Sequence, residues 1–186
     1  MRVIAGIARS LPLKTVPSMD VRPTTDKTKE TLFNILMPYL NGCRFLDLFS
    51  GSGAIGIEAI SRGAAIAVFV ERDRAALKCI EENLTFTKFT DKAKIMKQEV
   101  LSALKGLESG PAFDIIFMDP PYDKELEKQT LEVLSGSPLV NEDTIVVVEA
   151  SRDTKMDYVP DFGFEIYKEK IYKNNKHVFL RKADEA

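Results

Sequence analysis

Apolar and polar positions along the chain follow first one rhythm and then another. Residues 1–18 open on the apolar triplet Val3-Ile4-Ala5, broken by Gly6 and Pro12 and resumed at Leu13, Val16 and Pro17. That pattern predicts a short hairpin or an extended lead. Thr24, Thr25 and Asp26 are helix-capping types directly after Pro23. Behind them Leu32, Ile35, Leu36, Tyr39 and Leu40 recur at helical spacing, and Asn41-Gly42 closes the helix. From Phe45 onward strands and helices take turns. The pattern predicts strands at 45–49, 65–70, 95–97, 113–118 and 144–148, with helices at 51–62, 73–88, 100–107 and 124–134. Such alternation implies right-handed crossovers and a mostly parallel sheet. The rhythm then changes. Segments 164–168 and 177–181 are both strand-like, with the turn residues Asn174-Asn175 between them, which predicts an antiparallel hairpin on the sheet edge.

The expected fold is therefore α/β, a Rossmann-like, mostly parallel seven-stranded sheet with a C-terminal antiparallel hairpin. The chain has 186 residues, 45% of them apolar and 29% charged. That suits a single domain, 1–186, in which 1–22 forms a hairpin-like extension and 23–186 the core. Disorder, collagen-like repeats and a disulfide scaffold do not fit. The longest apolar run, 64–70, is far shorter than the roughly 20 residues of a membrane span. No targeting segment is read, so the expected location is cytoplasmic. Cys43, Cys79 and His177 do not make a zinc site, so no metal is expected, and these three are assigned to packing or surface.

Charge is unevenly spread. Residues 1–30 carry a net +3, residues 164–182 a net +4, and residues 31–163 a net −7. From charge alone scattered solvated lysines are the favoured explanation, and the basic ends matter only if they fold to the same side as a site.

Two motifs carry chemistry. Gly51-Ser52-Gly53-Ala54-Ile55-Gly56 follows a predicted strand and opens a predicted helix, the context in which a glycine loop lets backbone approach a ligand. Glu71 ends the next strand, where an acid can grip a ribose diol. Asp47 sits within an otherwise apolar strand and would repel a dinucleotide's diphosphate but attract a cation. S-adenosylmethionine is phosphate-free, cationic and carries that diol, so it suits the loop better than NAD. A turn-capping role for Asp47 stays open. Glu99 follows the next strand and reads either as a contact to the donor's adenine end or as a helix N-terminal acid. The second motif is Asp119-Pro120-Pro121-Tyr122. Two prolines fix a stiff bend, and their carbonyls can face a ligand. Asp119 is an acceptor for an exocyclic amine, and Tyr122 offers a face on which a planar base can stack.

These residues resemble the class I S-adenosylmethionine-dependent methyltransferases that act on amino nitrogens. The N-terminal segment narrows the resemblance. Met1-Arg2-Val3-Ile4-Ala5-Gly6, Leu13-Lys14-Thr15 and the run from Arg22 to Asn34 are similar to the RsmD family, with departures at Leu11, Lys27 and Lys173. The resemblance implies methylation of the N2 amine of one guanine in bacterial small-subunit (16S) rRNA, within a ribosomal particle. It implies a donor site at Asp47, Ser50, Gly51, Ser52, Gly53, Glu71, Arg72, Glu99 and Val100. It implies an amine clamp at Asp119, Pro120, Pro121 and Tyr122. It further implies RNA contacts at Arg9, Lys14, Arg22, Thr24, Lys27 and Lys29, helped by Lys173 and Lys176. The rivals are a DNA adenine-N6 methyltransferase, an NAD-dependent oxidoreductase and an inactive RNA-binding module.

Overall fold

The computed structural model describes residues 1–16, 25–122 and 124–184. Helix α1 (Asp26–Leu40) leads into β1 (Arg44–Leu48), α2 (Ala54–Ser61), β2 (Ile66–Glu71), α3 (Arg74–Thr87), β3 (Ala93–Lys97) and α4 (Val100–Leu107). There follow β4 (Ile115–Met118), α5 (Leu126–Ser135), β5 (Ile145–Ser151), β6 (Phe164–Ile171) and β7 (Asn175–Lys182). The seven strands form one sheet in the order β3-β2-β1-β4-β5-β7-β6. The first five strands in that order pair in parallel, and β7 pairs antiparallel with both β5 and β6.

Apolar side chains cover both faces of the sheet, which is why β1, β2, β4 and β5 read as continuous apolar runs. Phe45, Phe69, Phe117 and Phe179 pack on the face that also buries Leu32, Phe33, Ile57 and Ile80. Leu46, Val70, Met118 and Val148 pack on the opposite face with Leu104 and Leu131. Strand order reverses between β1 and β4, and ligands of such sheets bind outside the carboxyl ends of the strands at that reversal.

The N-terminal segment belongs to the first of these layers. Val3, Ala8 and Leu13 are buried in the same cluster as α1 and α2. Residues 1–13 fold back through an antiparallel bridge between Arg2 and Pro12. Glu58 on α2 anchors the fold-back, accepting from the backbone N–H groups of Ile4 at 2.8 Å and Ala5 at 3.0 Å. Gly6 is required here. It has φ +83°, and a Cβ at this position would stand 1.8 Å from the Ser61 carbonyl oxygen.

Glu58 also explains a correction. Lys29 was expected to contact RNA, but it is fully buried, with Nζ 3.3 Å from the Glu58 carboxylate. Arg62 holds the other carboxylate oxygen at 2.8 Å. Burial lowers the Lys29 pKa and the neighbouring Glu58 opposes that shift. A buried ion pair of this kind is costly to break, so Lys29 is committed to the core and not to a phosphate.

Element ends differ from the pattern where backbone turns left-handed. Strand β1 stops at Leu48 because Phe49 has φ +60°. Helix α2 begins at Ala54, three residues later than expected, because Gly51 and Gly53 have φ +55° and +79°. The C-terminal hairpin is longer than the pattern suggests and carries a register irregularity between Ile166 and Lys168.

Candidate active site

The glycine loop sits at the end of β1, at the reversal of strand order, and backbone bonds hold its acids in place. Ser50 ties the loop to β2. Its Oγ accepts from the Val70 N–H at 3.0 Å and donates to the Asp47 carbonyl at 2.6 Å, while its N–H donates to the Val70 carbonyl at 3.0 Å. Glu71 closes the other side. One carboxylate oxygen accepts from the Gly51 N–H at 2.8 Å, and the other from Arg72 N at 2.8 Å and Asp73 N at 2.9 Å. Asp47 is buried beneath the loop, and its Oδ2 accepts from the Gly56 N–H of α2 at 3.0 Å. The capping role that the sequence left open for Asp47 is therefore present, one turn into the helix. Burial pushes the Asp47 carboxyl up to about 7, against the Gly56 bond and with help from Glu71. Phe49 is a residue the sequence did not single out. A bulky side chain in left-handed backbone is uncommon and costs roughly 1–2 kcal/mol. It stands directly before the loop, where the Ser50 bonds hold the chain.

Arg72 and Glu99, both expected on the donor, form an exposed ion pair with each other. Glu99 occupies the N-cap position of α4 without a side-chain capping bond, and Val100 begins that helix. Arg72 lies at the carboxyl end of β2, one strand further from the reversal than Asp47, and Glu99 and Val100 follow β3, two strands further.

The Asp119-Pro120-Pro121-Tyr122 turn leaves β4 immediately beside β1. Asp47 pairs in register with Phe117 and Leu48 with Met118, so Asp119 follows at the same edge. The Asp119 carboxyl is pushed well above its ordinary range by burial first, then by Glu149 and Asp47. Tyr122 is 46% exposed, and burial followed by Glu149 and Asp119 raises its hydroxyl to about 12. The Asp119-Pro120-Pro121-Tyr122 turn and the glycine loop are thus neighbours.

Four further residues join this edge. Glu149 on β5 follows Val148, the register partner of Met118, and so stands level with Asp119. It pairs in register with His177 of β7, whose Nε2 lies 2.9 Å from Glu149 Oε2. Asn175 Nδ2 donates to the other Glu149 oxygen at 2.6 Å, and the Tyr172 hydroxyl lies 3.4 Å from His177 Nδ1. His177 is fully buried and meets Phe117 edge to face. The sequence did carry a signal for Glu149, an acid at the end of the apolar run 145–148, the same signature that singled out Asp47. His177 gave none, because its partner is set by hairpin register.

Of the expected RNA contacts, Arg9 and Lys27 are exposed. Lys14 is exposed but pairs with Glu82 at 2.7 Å. Arg22 and Thr24 lie outside the described residues. Lys176 is a second correction: it is nearly buried and paired with Glu169 at 3.1 Å. Lys173 is exposed. Burial pushes the Cys43 thiol up to about 12, in keeping with packing. Among the described residues no group of three or more His, Cys, Asp or Glu is arranged to hold a metal, and no helix is long and apolar enough to cross a membrane.

The carboxyl edge fits a cationic ligand without phosphates. Asp47 is buried and Asp119 partly buried, near each other and near Glu71 and Glu149, and this drives both toward the neutral form. A positive charge bound among them would relieve that strain.

Comparison with known proteins agrees with this geometry. The ribosomal RNA small subunit methyltransferase D of Haemophilus influenzae is 37% identical over 82% of this chain and 80% of its own. The protein of the same name from Escherichia coli is 34% identical over 92% of this chain and 84% of its own. The solved structure of the Escherichia coli protein yhhF superposes with a TM-score of 0.84 at 31% identity, covering 100% of this chain and 99% of that one. A family model described as conserved hypothetical protein 95 matches residues 1–181. The chain therefore belongs to the conserved hypothetical protein 95 family, the RsmD family.

Proposed function

We propose that this protein transfers a methyl group from S-adenosylmethionine to the exocyclic N2 of one guanine in 16S rRNA, acting in the cytoplasm on a ribosomal particle. The observation that carries the reading is the Asp119 carboxyl, which stands beside the glycine loop at the reversal of strand order. Its neighbours in sequence are two prolines and a half-exposed tyrosine.

The donor, when bound, supplies a methyl group on a positively charged sulfur. Asp47 and the backbone of Gly51, Ser52 and Gly53 would hold it, with Glu71 on its ribose diol and Glu99 and Val100 toward its adenine. Asp47 and Asp119 ionise more readily beside a cation, so donor binding prepares Asp119 as an acceptor. Tyr122 stacks on a guanine turned out of its surroundings. Asp119 and a proline carbonyl accept the two N–H bonds of the amine, which aims the nitrogen lone pair away from the ring plane and toward the methyl. Rate gain comes from positioning and from charge placed before the reaction starts. Glu149, held by Asn175 and His177, fixes the floor beneath Asp119. Arg9, Lys14 and Lys27 meet phosphates.

The test uses labelled S-adenosylmethionine with small-subunit particles from a strain lacking the corresponding enzyme. DNA and large-subunit RNA serve as comparison substrates, and D119A as the control. Label recovered as N2-methylguanosine from small-subunit rRNA alone, and lost in D119A, is the expected result. Label in DNA adenine would keep the clamp and overturn the substrate. Donor binding without transfer to any of the three would overturn the enzymatic reading.

A further inference from the structure

Asn83 lies near the end of α3, is 2% exposed, and has no place in the chemistry above. Its side-chain amide bridges two segments far apart in the chain. Oδ1 accepts from the Lys14 N–H at 2.8 Å, and Nδ2 donates to the Lys14 carbonyl at 3.0 Å. The same Nδ2 donates to the Ser52 carbonyl at 3.0 Å. An asparagine amide has two N–H bonds to give, and here both are spent, one on the N-terminal segment and one on the glycine loop. Lys14 is held a second time, through its Nζ, by the neighbouring Glu82. A cleft of about 370 Å³ opens at this junction, lined by Pro12, Leu13, Lys14, Glu82, Asn83 and Phe86. Phe86 is 53% exposed at its wall, so an outside partner has both a ring and an ammonium to meet.

The bland role for such an amide is to satisfy three part-buried backbone groups, which are costly to leave unpaired. The geometry does more than that. The Ser52 carbonyl belongs to the loop between Gly51 and Gly53, whose left-handed backbone leaves its position to external bonds. The Lys14 peptide belongs to the segment that faces the cleft. A shift of either is passed to the other through one rigid, planar group.

We infer that Asn83 is a positioning residue that couples the N-terminal segment to the donor loop, so that rRNA docking at Lys14 and donor binding strengthen each other. The inference rests on the proposed function, because it takes the loop as the donor site and the segment as an RNA contact. Coupling of this kind is reciprocal and amounts to about five- to 150-fold in affinity.

The experiment is equilibrium dialysis of labelled S-adenosylhomocysteine against the full chain, with and without small-subunit particles lacking the modification. For the unaltered protein, particles are expected to tighten binding at least about fivefold. N83A removes all three bonds and should abolish that gain. N83D keeps the acceptor for the Lys14 N–H but loses both donors, so it cuts the loop bond and one of the two Lys14 bonds. It should also lose the gain, and it serves if N83A does not fold. K14Q leaves the backbone bonds but removes the ammonium at which the RNA docks, so it should weaken particle binding and reduce the gain. Folded N83A or N83D with an undiminished gain overturns the inference. So does an unaltered protein that binds the ligand with no gain from particles. An unaltered protein that binds no ligand at all instead overturns the proposed function.

Discussion

The carboxyl edge of the sheet has two halves, and they are finished differently. On the donor half the two acids beside the glycine loop meet backbone. Asp47 is met by the Gly56 N–H at 3.0 Å, and Glu71 by the N–H groups of Gly51, Arg72 and Asp73. On the amine half Asp119 meets no hydrogen-bond donor among the described residues, and Glu149 is held by side chains, Asn175 at 2.6 Å and His177 at 2.9 Å. Asp47, the glycine loop and Glu71 come from segments at most about two dozen residues apart. The amine half draws on positions 119, 149 and 177, brought level by strand register. The difference teaches that the first half is satisfied from within the chain, whereas Asp119, the proposed acceptor, is left to meet a substrate's N–H bonds.

The largest expected effect tests that openness directly. Asp119→Ala removes an acceptor that, on this reading, only the substrate satisfies. It should lower kcat by about 10²–10³-fold, the usual loss for one preorganised charge-stabilising contact. Donor affinity should weaken far less than kcat, and stability should not fall, since no partner among the described residues is orphaned. Single-turnover transfer and donor binding measured side by side check this. A loss confined to donor binding would place Asp119 in the wrong half.

Asp47 sharpens the donor half through pH. Its carboxyl sits at about 7 in the fold against an ordinary value of 3.8. Between those values the folded state keeps a proton that the unfolded chain releases, so stability falls as pH rises from about 4 to 7. A cationic ligand favours the ionised form, so donor affinity runs the opposite way and weakens as pH drops below about 7. One group accounts for at most about tenfold per pH unit. Asp47→Asn should flatten both slopes, leaving only the part that belongs to Asp119. Thermal midpoints and donor Kd at three pH values decide it. An unchanged slope in the variant would mean that the proton sits elsewhere.

The two halves were also unequally legible in the sequence. Asp47, the glycines and Glu71 lie within one strand-loop-helix-strand unit, where spacing alone fixes which residues share an edge. Asp119 was legible for the same reason, as the end of an apolar strand. Glu149 carried that very signature after Val146, Val147 and Val148, and the same reasoning applied once more would have found it. His177 and Asn83 were not legible. Their partners depend on hairpin register and on a chain reversal of 69 residues. Lys29 misled because the charge of a short basic segment says nothing of Glu58, which buries it. Phe49 misled because aromatic residues favour strands, and only the loop's bonds force its backbone left-handed.

Tyr122 tests whether the amine half recognises a flat base. Tyr122→Ala should raise KM for the RNA by about 1–3 kcal/mol, the ordinary worth of one stacked base, with kcat less affected. Tyr122→Phe should be close to unaltered, because stacking needs the ring and not the hydroxyl. If Phe fails as badly as Ala, the hydroxyl, raised to about 12 beside Glu149 and Asp119, is the working part and the stacking account is wrong.

The smallest expected effect lies one layer further back. His177 touches Glu149 and Tyr172 but not, on this reading, the substrate. Gln at 177 can still donate to Glu149 through its amide, so it should cost about 0.5–1.5 kcal/mol of stability, the net worth of a single buried hydrogen bond. Its kcat should fall only a few-fold. Phe at the same position leaves Glu149 short of a donor inside the protein, which costs about 1–3 kcal/mol. The gap between the two variants in thermal unfolding therefore measures how far the Glu149 floor relies on that one bond. Should His177→Gln instead reduce kcat as deeply as Asp119→Ala while unfolding normally, the amine half would be as fixed in advance as the donor half, and the contrast between them would fail.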